Sequence, residues 1–286
     1  MSPIPRLSRA LAIGVSLIVL TLPAQADELI ERTYAPFAQL LEQFLSEHER
    51  DDGGLVSAFD YERAFGDAQT RDLLREQNRL LAAFDRDALS TREQALAFWN
   101  NAYNYFMIEH ILHNPRNGQI VDSVRDYGHL LNPYRVFGQK QFNIGGRLHS
   151  LDQIEKEILL GDEFKRRGWK EARVHFTVNC ASVGCPPLRQ QIFLPDNVDA
   201  MMSDNTRRAL NTPRHLRLEG NTLYLSQLFE WYEDDYVEEA GSVTAFIKRY
   251  ADPRIRAKVD AASRIRFIDY DWSLNRPSNF PDLRVN

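Results

Sequence analysis

Residues 90–113 read STREQALAFWNNAYNYFMIEHILH, a long run with recognisable helix ends. The run opens on a capping box, because the Ser90 hydroxyl can accept from the third helix amide while Glu93 reaches back to the cap. Asn114-Pro115 ends it, since proline lacks the amide that a continuing helix needs. The sequence therefore predicts a helix over 91–113.

Segments on either side of this helix carry helical patterns of their own. Apolar residues recur at intervals of three and four, the spacing that puts side chains on one helical face. Ser150 and Gln153 form a second capping signal. Further helices are predicted over 37–45, 67–84, 150–160, 226–235 and 242–251, and Pro253 is expected to end the last of them.

Strand patterns lie between the predicted helices. Glycine turns at Gly145-Gly146 and Gly220-Asn221 predict two hairpins. Residues 173–179 alternate strictly between apolar and polar side chains, which predicts a half-buried strand, and 266–270 predicts a short one. The chain lacks a glycine-rich phosphate loop, so no nucleotide cofactor is expected.

Composition and length limit the class of protein. The chain has 286 residues, of which 43% are hydrophobic and 26% charged, as in soluble globular proteins. The net charge of −5 argues against nucleic acid as a partner, because a phosphate backbone attracts an excess of Lys and Arg. The prediction is α+β: a single domain over 27–286, with a helical N-terminal part packed on a small antiparallel sheet.

The first 26 residues have the features of a secretory signal peptide. Two arginines precede an apolar run over 10–22, and Ala24-Gln25-Ala26 follows as a cleavage signal. The run is shorter than the roughly 20 residues that a spanning helix needs. Cleavage after Ala26 is predicted, which implies a periplasmic protein without stable membrane insertion. Its substrate or cell-envelope partner is left open.

The segment with the strongest chemical character is VHFTVNCASVGCPPLR at 174–189. Three interpretations of its cysteines remain open. In the first interpretation, Cys180 and Cys185 form a disulfide, as two cysteines of an exported protein usually do. Alternatively, Cys180 is a nucleophile whose thiolate is stabilised by a neighbour such as His175. In the third interpretation, both thiols are buried and inert.

Three asparagines lie within one turn of the helix predicted over 91–113. Asn100 and Asn104 are four residues apart, and Asn101 and Asn104 are three apart, so they share a face. Asparagine favours caps and turns, so asparagines near a core need hydrogen-bond partners. They are interpreted first as braces for a neighbouring loop, and alternatively as groups that support a catalytic histidine.

Two further clusters have simpler explanations. Glu109, His110 and His113 resemble part of a zinc site, but a second group of ligands is missing, so no metal is expected. EWYEDDY at 230–236 combines rings and carboxylates, as in a glycoside-hydrolysing sugar site. Such a pattern more often marks an amphipathic helix with solvated acids.

Four motifs, in this order, resemble the family named domain of unknown function 547. They are FWNNAYN at 98–104, GRLHSLDQIE at 146–155, HFTVNCASVGCPPLR at 175–189 and LSQLFEWY at 225–232. The closing YDWSLN at 270–275 is similar to the tail of exported bacterial members. The resemblance covers about 98–275, with a family core of about 90–240.

The resemblance implies a cysteine-peptidase-like α+β fold, although the family name records no agreed activity. It implies Cys180 as the chemical residue and Cys185 as optional. The other motifs carry over to Asn101, Tyr103, Asn104 and Glu155. Many members have histidine directly after that glutamate, where this chain has Lys156. If that histidine is the family's base, His175 or His149 must replace it, or the protein is inert.

The leading hypothesis is a periplasmic thiol-dependent hydrolase or acyl transferase. Cys180 is its nucleophile and His175 its base, oriented by Glu155 or Asn101. Positions 175 and 180 of a straight strand point to opposite faces, so the pair requires a turn after 179. His149 is therefore a rival base.

Two other functions remain alternatives. One is a non-catalytic binding or interaction module, in which the Cys180–Cys185 disulfide stiffens a recognition loop. The other is a glycoside hydrolase that uses carboxylates between Glu230 and Asp235.

Overall fold

The computed structural model describes residues 22–283, with side chains from Ala26 onward. Its α-helices are α1 (Leu22–Phe44), α2 (Tyr61–Gly66), α3 (Ala68–Ala83), α4 (Arg92–His113), α5 (Arg135–Gly138), α6 (Asp162–Arg166), α7 (Val198–Leu210), α8 (Leu228–Trp231), α9 (Glu233–Ala240), α10 (Val243–Tyr250) and α11 (Pro253–Ala261). Its strands are β1 (Leu45–Glu49), β2 (Leu55–Phe59), β3 (Phe142–Ile144), β4 (Arg147–His149), β5 (Leu216–Glu219), β6 (Thr222–Ser226) and β7 (Arg264–Ile268). The predicted α+β class is confirmed.

Helix α4 lies at the centre of the helical part and is buried on nearly all sides. Its apolar residues surround the helix, as expected for a helix without a solvent-facing side. The predicted capping box is wrong by one residue, because Thr91 and Gln94 form it instead of Ser90 and Glu93. The buried Gln94 carboxamide accepts from the amides of Ser90 (3.0 Å) and Thr91 (3.2 Å), which fixes the helix start there.

Helices α1 and α3 pack together beside α4. Pro36 interrupts the hydrogen-bond ladder of α1, because it has no amide hydrogen. The buried side chain of Gln77 in α3 serves that turn. It accepts from the Phe37 amide (3.0 Å) and donates to the Thr33 carbonyl (2.7 Å). Gln77 therefore links the two helices through a local defect in one of them.

The predicted signal peptide falls mostly outside the described residues, which begin at Leu22. The predicted cleavage position, Ala26, lies within α1. Within 22–283, no helix has the length and apolar character needed to cross a bilayer.

Three small sheets complete the fold. Strands β1–β2, β3–β4 and β5–β6 are antiparallel pairs, and β7 adds to β6 in parallel. Both predicted glycine hairpins are confirmed, with left-handed backbone at Gly145 (φ +56°) and Gly220 (φ +58°). The parallel pairing of β7 is available because α8 to α11 provide the long crossover that it requires.

The segment that leads to Cys180 departs from the prediction. Ala172–Phe176 forms a 3₁₀-helix instead of a strand. The alternation has another origin, because Val174 packs into the core around α4 while Phe176 packs into a second core beneath β5 and β6. Local backbone hydrogen bonds close this turn: the amides of Thr177 and Val178 donate to the Val174 carbonyl (2.9 and 3.1 Å).

Two predicted helices differ in detail. The predicted helix over 226–235 is divided: it contains all of α8 and, after a break at Tyr232, the first residues of α9. Pro253 begins α11 instead of ending α10. Proline suits this position, since the first helical amide has no intrahelical acceptor.

The helix predicted after Ser150 contains an uncommon turn. The Ser150–Gln153 capping box is confirmed, since the Gln153 amide donates to Ser150 Oγ (3.1 Å) and the Gln153 side chain accepts in return (3.3 Å). Gln153–Leu159 then continues as a π-helix. Such insertions occur frequently at functional sites, and this one carries Glu155 and Lys156.

Candidate functional site

A cleft of about 520 Å³ opens where α4, the π-helical segment, α8 and the C-terminal tail meet. Aromatic rings form much of its wall: Tyr103, Tyr134, Phe137, Trp231, Tyr232, Tyr270 and Trp272. The predicted site residues that line it are Glu155, His175, Cys180 and Cys185. An apolar cleft with a few convergent polar groups is the usual form of a ligand site.

Cys180 and Cys185 are joined by a disulfide, with Cα atoms 6.4 Å apart, so the predicted pairing is confirmed. Asn179 shapes the loop. Its side-chain oxygen accepts from the Ala181 amide (2.8 Å), and its side-chain nitrogen donates to the Pro186 carbonyl (2.8 Å). Ala181 has φ +59°, a left-handed conformation that costs a non-glycine residue roughly 1–2 kcal/mol. Backbone strain thus follows the candidate nucleophile directly.

Two hydroxyl groups lie against the sulfur of Cys180. Ser182 Oγ and the Tyr270 hydroxyl are each 3.1 Å from it. Burial raises the pKa of Tyr270, although the Ser182 hydrogen bond acts in the opposite direction, so the phenol stays protonated. Two neutral donors beside a sulfur can stabilise a thiolate or a developing oxyanion.

Gly184 lets the Tyr270 ring approach the disulfide loop. A Cβ at this position would lie 2.9 Å from three atoms of that ring, closer than side chains pack. The loop residues around Cys180 are therefore fitted to the tail that carries Tyr270.

His175 is one of the residues that line the cleft, and its side chain has no solvent-exposed area. Its Nε2 lies 2.8 Å from Asp235 Oδ2, its Nδ1 lies 3.6 Å from Glu155 Oε1, and its ring stacks on Tyr232. Burial alone would lower the pKa of His175, but the two carboxylates outweigh it and raise the pKa. The imidazolium form is favoured, so His175 is better suited to donate a proton than to accept one.

The charges around His175 form an ordered chain. Lys170 Nζ lies 2.7 Å from Asp235 Oδ1, on the side away from His175 Nε2. Burial disfavours the Asp235 carboxylate, yet His175 and Lys170 lower the pKa of Asp235 to about 2. Glu155, His175, Asp235 and Lys170 thus alternate in sign, which reduces the cost of burying each of them.

Lys156 stands at the rim of the cleft, next to Glu155. Its ammonium group lies 2.6 Å from Asp152, and both side chains are partly exposed. The two charges compensate each other at the entrance of the cleft.

The helix asparagines brace the backbone. Asn101 Nδ2 donates to the Phe193 carbonyl (2.7 Å), and its Oδ1 accepts from the Phe193 amide (2.9 Å). Asn104 likewise donates to the Thr177 carbonyl (2.9 Å) and accepts from the Asn179 amide (2.8 Å). The expectation that Asn101 orients the imidazole is wrong, because both ends of its amide are engaged elsewhere and Asp235 and Glu155 face His175.

Asn104→Ala is expected to lower the free energy of unfolding by about 3 kcal/mol. The substitution leaves the Thr177 carbonyl and the Asn179 amide buried without these partners. Urea unfolding measures the loss, with Asn143→Ala as the matched control, because Asn143 is the exposed residue of β3. Equal midpoints for the two variants would show that Asn104 is not a brace.

His149, the rival base, lies away from the residues that line the cleft. Its Nε2 is 3.3 Å from Arg86 Nη1, its Nδ1 is 2.9 Å from the Arg147 carbonyl, and its ring packs beside Trp99. Burial lowers the pKa of His149, and the charge of Arg86 acts in the same direction, whereas the hydrogen bond to the Arg147 carbonyl acts against them. These contacts assign His149 to the β3–β4 hairpin.

The Glu109 cluster does not assemble a metal site. His113 Nδ1 pairs with Glu109 (2.7 Å), whereas the buried His110 contacts Asn114 and Gln141. Across the described part of the chain, no group of three or more ligating side chains is placed to hold a metal ion.

The segment 230–236 contributes to the cleft in a different way from the predicted sugar site. Trp231 and Tyr232 line the cleft, but Glu230 is exposed and contacts Gln227 (3.3 Å). Asp235 is bound to His175 and Lys170. The carboxylates therefore do not form a pair on either side of the cleft.

Lys170 and Tyr270 are site residues that sequence reasoning did not assign, and Asp235 was considered only as a carboxylate of a sugar site and not as a partner of His175. Asp235 lies in the acidic segment 230–236, and Tyr270 lies in the closing motif at 270–275, which served only to identify the family resemblance. A backbone bridge between Ser182 and Leu274 brings the tail onto the cysteine loop. Contacts between such distant positions leave no local signal.

Comparison with known proteins gives one match. Residues 87–209 match a family model described as "protein of unknown function, DUF547". No curated protein and no solved structure matches the chain, so the cysteine-peptidase-like fold stays a prediction. The matched range contains α4, the π-helical segment and the Cys180 loop, three of the elements that build the cleft. Residues 87–209 are therefore similar to the DUF547 family, whose function is unknown.

Proposed function

We propose that the chain is an exported thiol-dependent hydrolase or acyl transferase, with Cys180 as its nucleophile and the Cys180–Cys185 disulfide as its resting form. The observation that carries the proposal is the shared cleft, in which Cys180 lines the same cavity as His175 and Glu155. The two hydroxyls beside the sulfur add oxyanion donors. Export rests on the signal-peptide features, and an oxidising compartment suits a disulfide resting form.

The chemistry begins with disulfide exchange. A dithiol reductant takes over the disulfide bond and leaves Cys180 and Cys185 as thiols. The Cys180 thiolate then attacks an acyl carbonyl carbon, and a C–S bond forms while Ser182 and Tyr270 donate to the oxyanion. The tetrahedral intermediate then collapses: the bond between the acyl carbon and the leaving group breaks, and the imidazolium of His175 gives its proton to the departing group. Water, or an acceptor nucleophile, returns a proton to His175 and releases the acyl group from sulfur.

The first test is the thiol pKa after reduction. The protein is reduced with dithiothreitol, exchanged into buffers of different pH and labelled briefly with iodoacetamide, and its intact mass is recorded. Single rapid alkylation of Cys180 below pH 7 is expected, because a nearby cation and hydroxyl donors favour the thiolate. Cys185→Ser isolates Cys180 for this measurement, and Cys180→Ser isolates Cys185.

An alkylation rate for Cys180 that rises only near the ordinary thiol pKa of about 8.5 would contradict an activated nucleophile. The same mass spectrum of the exported protein reports whether the chain is cleaved after Ala26.

A non-catalytic binding module is the second candidate. It is favoured by the closed disulfide, which leaves no free thiol. It is also favoured by the ion pairs of His175, whose nitrogens lie 2.8 Å from Asp235 and 3.6 Å from Glu155. In this case the aromatic cleft binds a ligand without converting it, and reduction weakens binding because it loosens the loop that the disulfide stiffens. Reduction-dependent ligand turnover would exclude it.

A further inference from the structure

The loop before α5 ends in an exposed apolar tip. Leu130 and Leu131 are 97% and 90% exposed, the highest values among the large hydrophobic side chains of the described residues. Two backbone hydrogen bonds between His129 and Asn132 (2.9 and 3.2 Å) close the turn beneath these leucines. Gly128 allows this closure, because a Cβ there would lie 2.4 Å from the Asn132 carbonyl oxygen. The fold therefore holds two adjacent leucines out in water.

The tip continues into the aromatic wall of the cleft. Tyr134, 44% exposed, packs on Trp272 with ring centroids 5.1 Å apart, and Trp272 stacks on Trp231, which is 42% exposed. The exposed leucines thus lie three and four residues before Tyr134, which belongs to the aromatic wall of the cleft. A protruding pair of leucines next to tyrosine and tryptophan is typical of a surface that enters the interface of a bilayer.

Two arginines, Arg125 and Arg135, flank the tip, and the carboxylate of Asp126 lies next to Arg125 in the sequence. Arg125 lies over the Tyr134 ring (5.8 Å), and Arg135 is exposed at the start of α5. Neither arginine forms a salt bridge to any residue in the described part of the chain. The nearby Asp126 is occupied by capping, since its Oδ2 accepts from the amides of Asp122 and Ser123 (3.2 and 3.0 Å). Two unpaired guanidinium groups beside an apolar tip suit anionic headgroups.

We propose that this tip docks the protein reversibly on the surface of a bilayer that contains anionic phospholipid. Leu130 and Leu131 enter the boundary between headgroups and acyl chains, and Tyr134 and Trp231 lie at headgroup level. Arg125 and Arg135 contact phosphates. The cleft mouth then faces the lipid surface. This inference goes beyond the proposed function and does not depend on thiol chemistry at Cys180.

A lipid surface fits the tip better than a protein partner. Stable protein interfaces cover about 800 Å² on each side and have a well-packed centre. A convex turn with two leucines at its end offers no groove for such a centre. A bilayer accepts a projecting tip because its headgroup region adapts to the shape of what enters it.

Vesicle flotation tests the inference. The secreted protein, with its N-terminus verified by intact mass, is mixed with vesicles of phosphatidylglycerol and phosphatidylethanolamine, or with phosphatidylcholine alone. The variant Leu130→Ser/Leu131→Ser removes the tip, and Leu148→Ser removes a leucine of β4 that is 58% exposed. We expect the partition coefficient on anionic vesicles to fall at least about tenfold in the double variant and to stay unchanged in Leu148→Ser.

Two results would overturn the inference. One is a wild-type protein that remains at the bottom of the gradient with anionic vesicles. The other is a double variant that floats as well as the wild type. If light scattering instead shows a wild-type dimer that the double variant loses, with no vesicle binding, the tip contacts a second copy and the lipid proposal is wrong. Circular dichroism of the variants verifies that the exposed substitutions leave the fold intact.

Discussion

Cys180→Ser is expected to reduce the hydrolysis of an activated thioester by a factor of at least about 10³, because it removes the nucleophile and leaves only positioning and oxyanion donors. Wild-type activity should require a dithiol, since the disulfide occupies the Cys180 sulfur. Cys185→Ser should be active without reductant, because Cys180 then has no partner to close the bridge. Initial rates with and without dithiothreitol measure both effects.

Cys185→Ser is the control for Cys180→Ser, since both variants lose the disulfide and only Cys185→Ser keeps the proposed nucleophile. A loss of disulfide stability therefore affects both equally. Cys180→Ser with the rate of reduced wild type would exclude Cys180 as nucleophile. Similar losses in both variants would show that the bridge itself supports the site.

Asp235→Asn is expected to lower the free energy of unfolding by about 3 kcal/mol at pH 5, and by less at pH 8. The substitution breaks a buried charge pair and leaves the imidazolium of His175 without its 2.8 Å partner, while Lys170 loses one carboxylate partner and keeps Glu238. At pH 8 the His175 of the variant can release its proton, which relieves part of the cost. Urea unfolding at both pH values measures the difference.

The pH window follows from the two pKa shifts. His175 has a raised pKa in the folded protein, so its contribution is complete below the unfolded value of about 6.5 and is lost as pH rises through the folded value. Asp235 has a pKa lowered to about 2, so its contribution is present above about 3.9 and is lost as pH falls through about 2. The pair therefore stabilises the fold most between about pH 4 and 6.5.

Asp234→Asn is the matched control, because Asp234 is the exposed neighbour on the same helix. It should change stability by no more than about 0.5 kcal/mol at either pH. If Asp235→Asn behaves like this control, the His175–Asp235 contact does not stabilise the protein.

Local patterns were sufficient for much of the fold. Helix α4, both glycine hairpins and the Ser150–Gln153 cap depend on neighbouring residues, so their sequences predict them. The Cys180–Cys185 pairing was also within reach, since the sequence has two cysteines and they lie five residues apart. The interpretation of the helix asparagines as braces has the same origin, because a buried amide must find partners.

Tertiary contacts decided the rest. The alternation of 173–179 is equally compatible with a strand and with a turn between two cores, and only the position of both cores selects the 3₁₀-helix. The partners of His175 and Cys180 were beyond sequence reasoning for a related reason. Asp235 and Tyr270 lie 60 and 90 residues away from them, and such contacts are set by the packing of whole elements and not by local spacing.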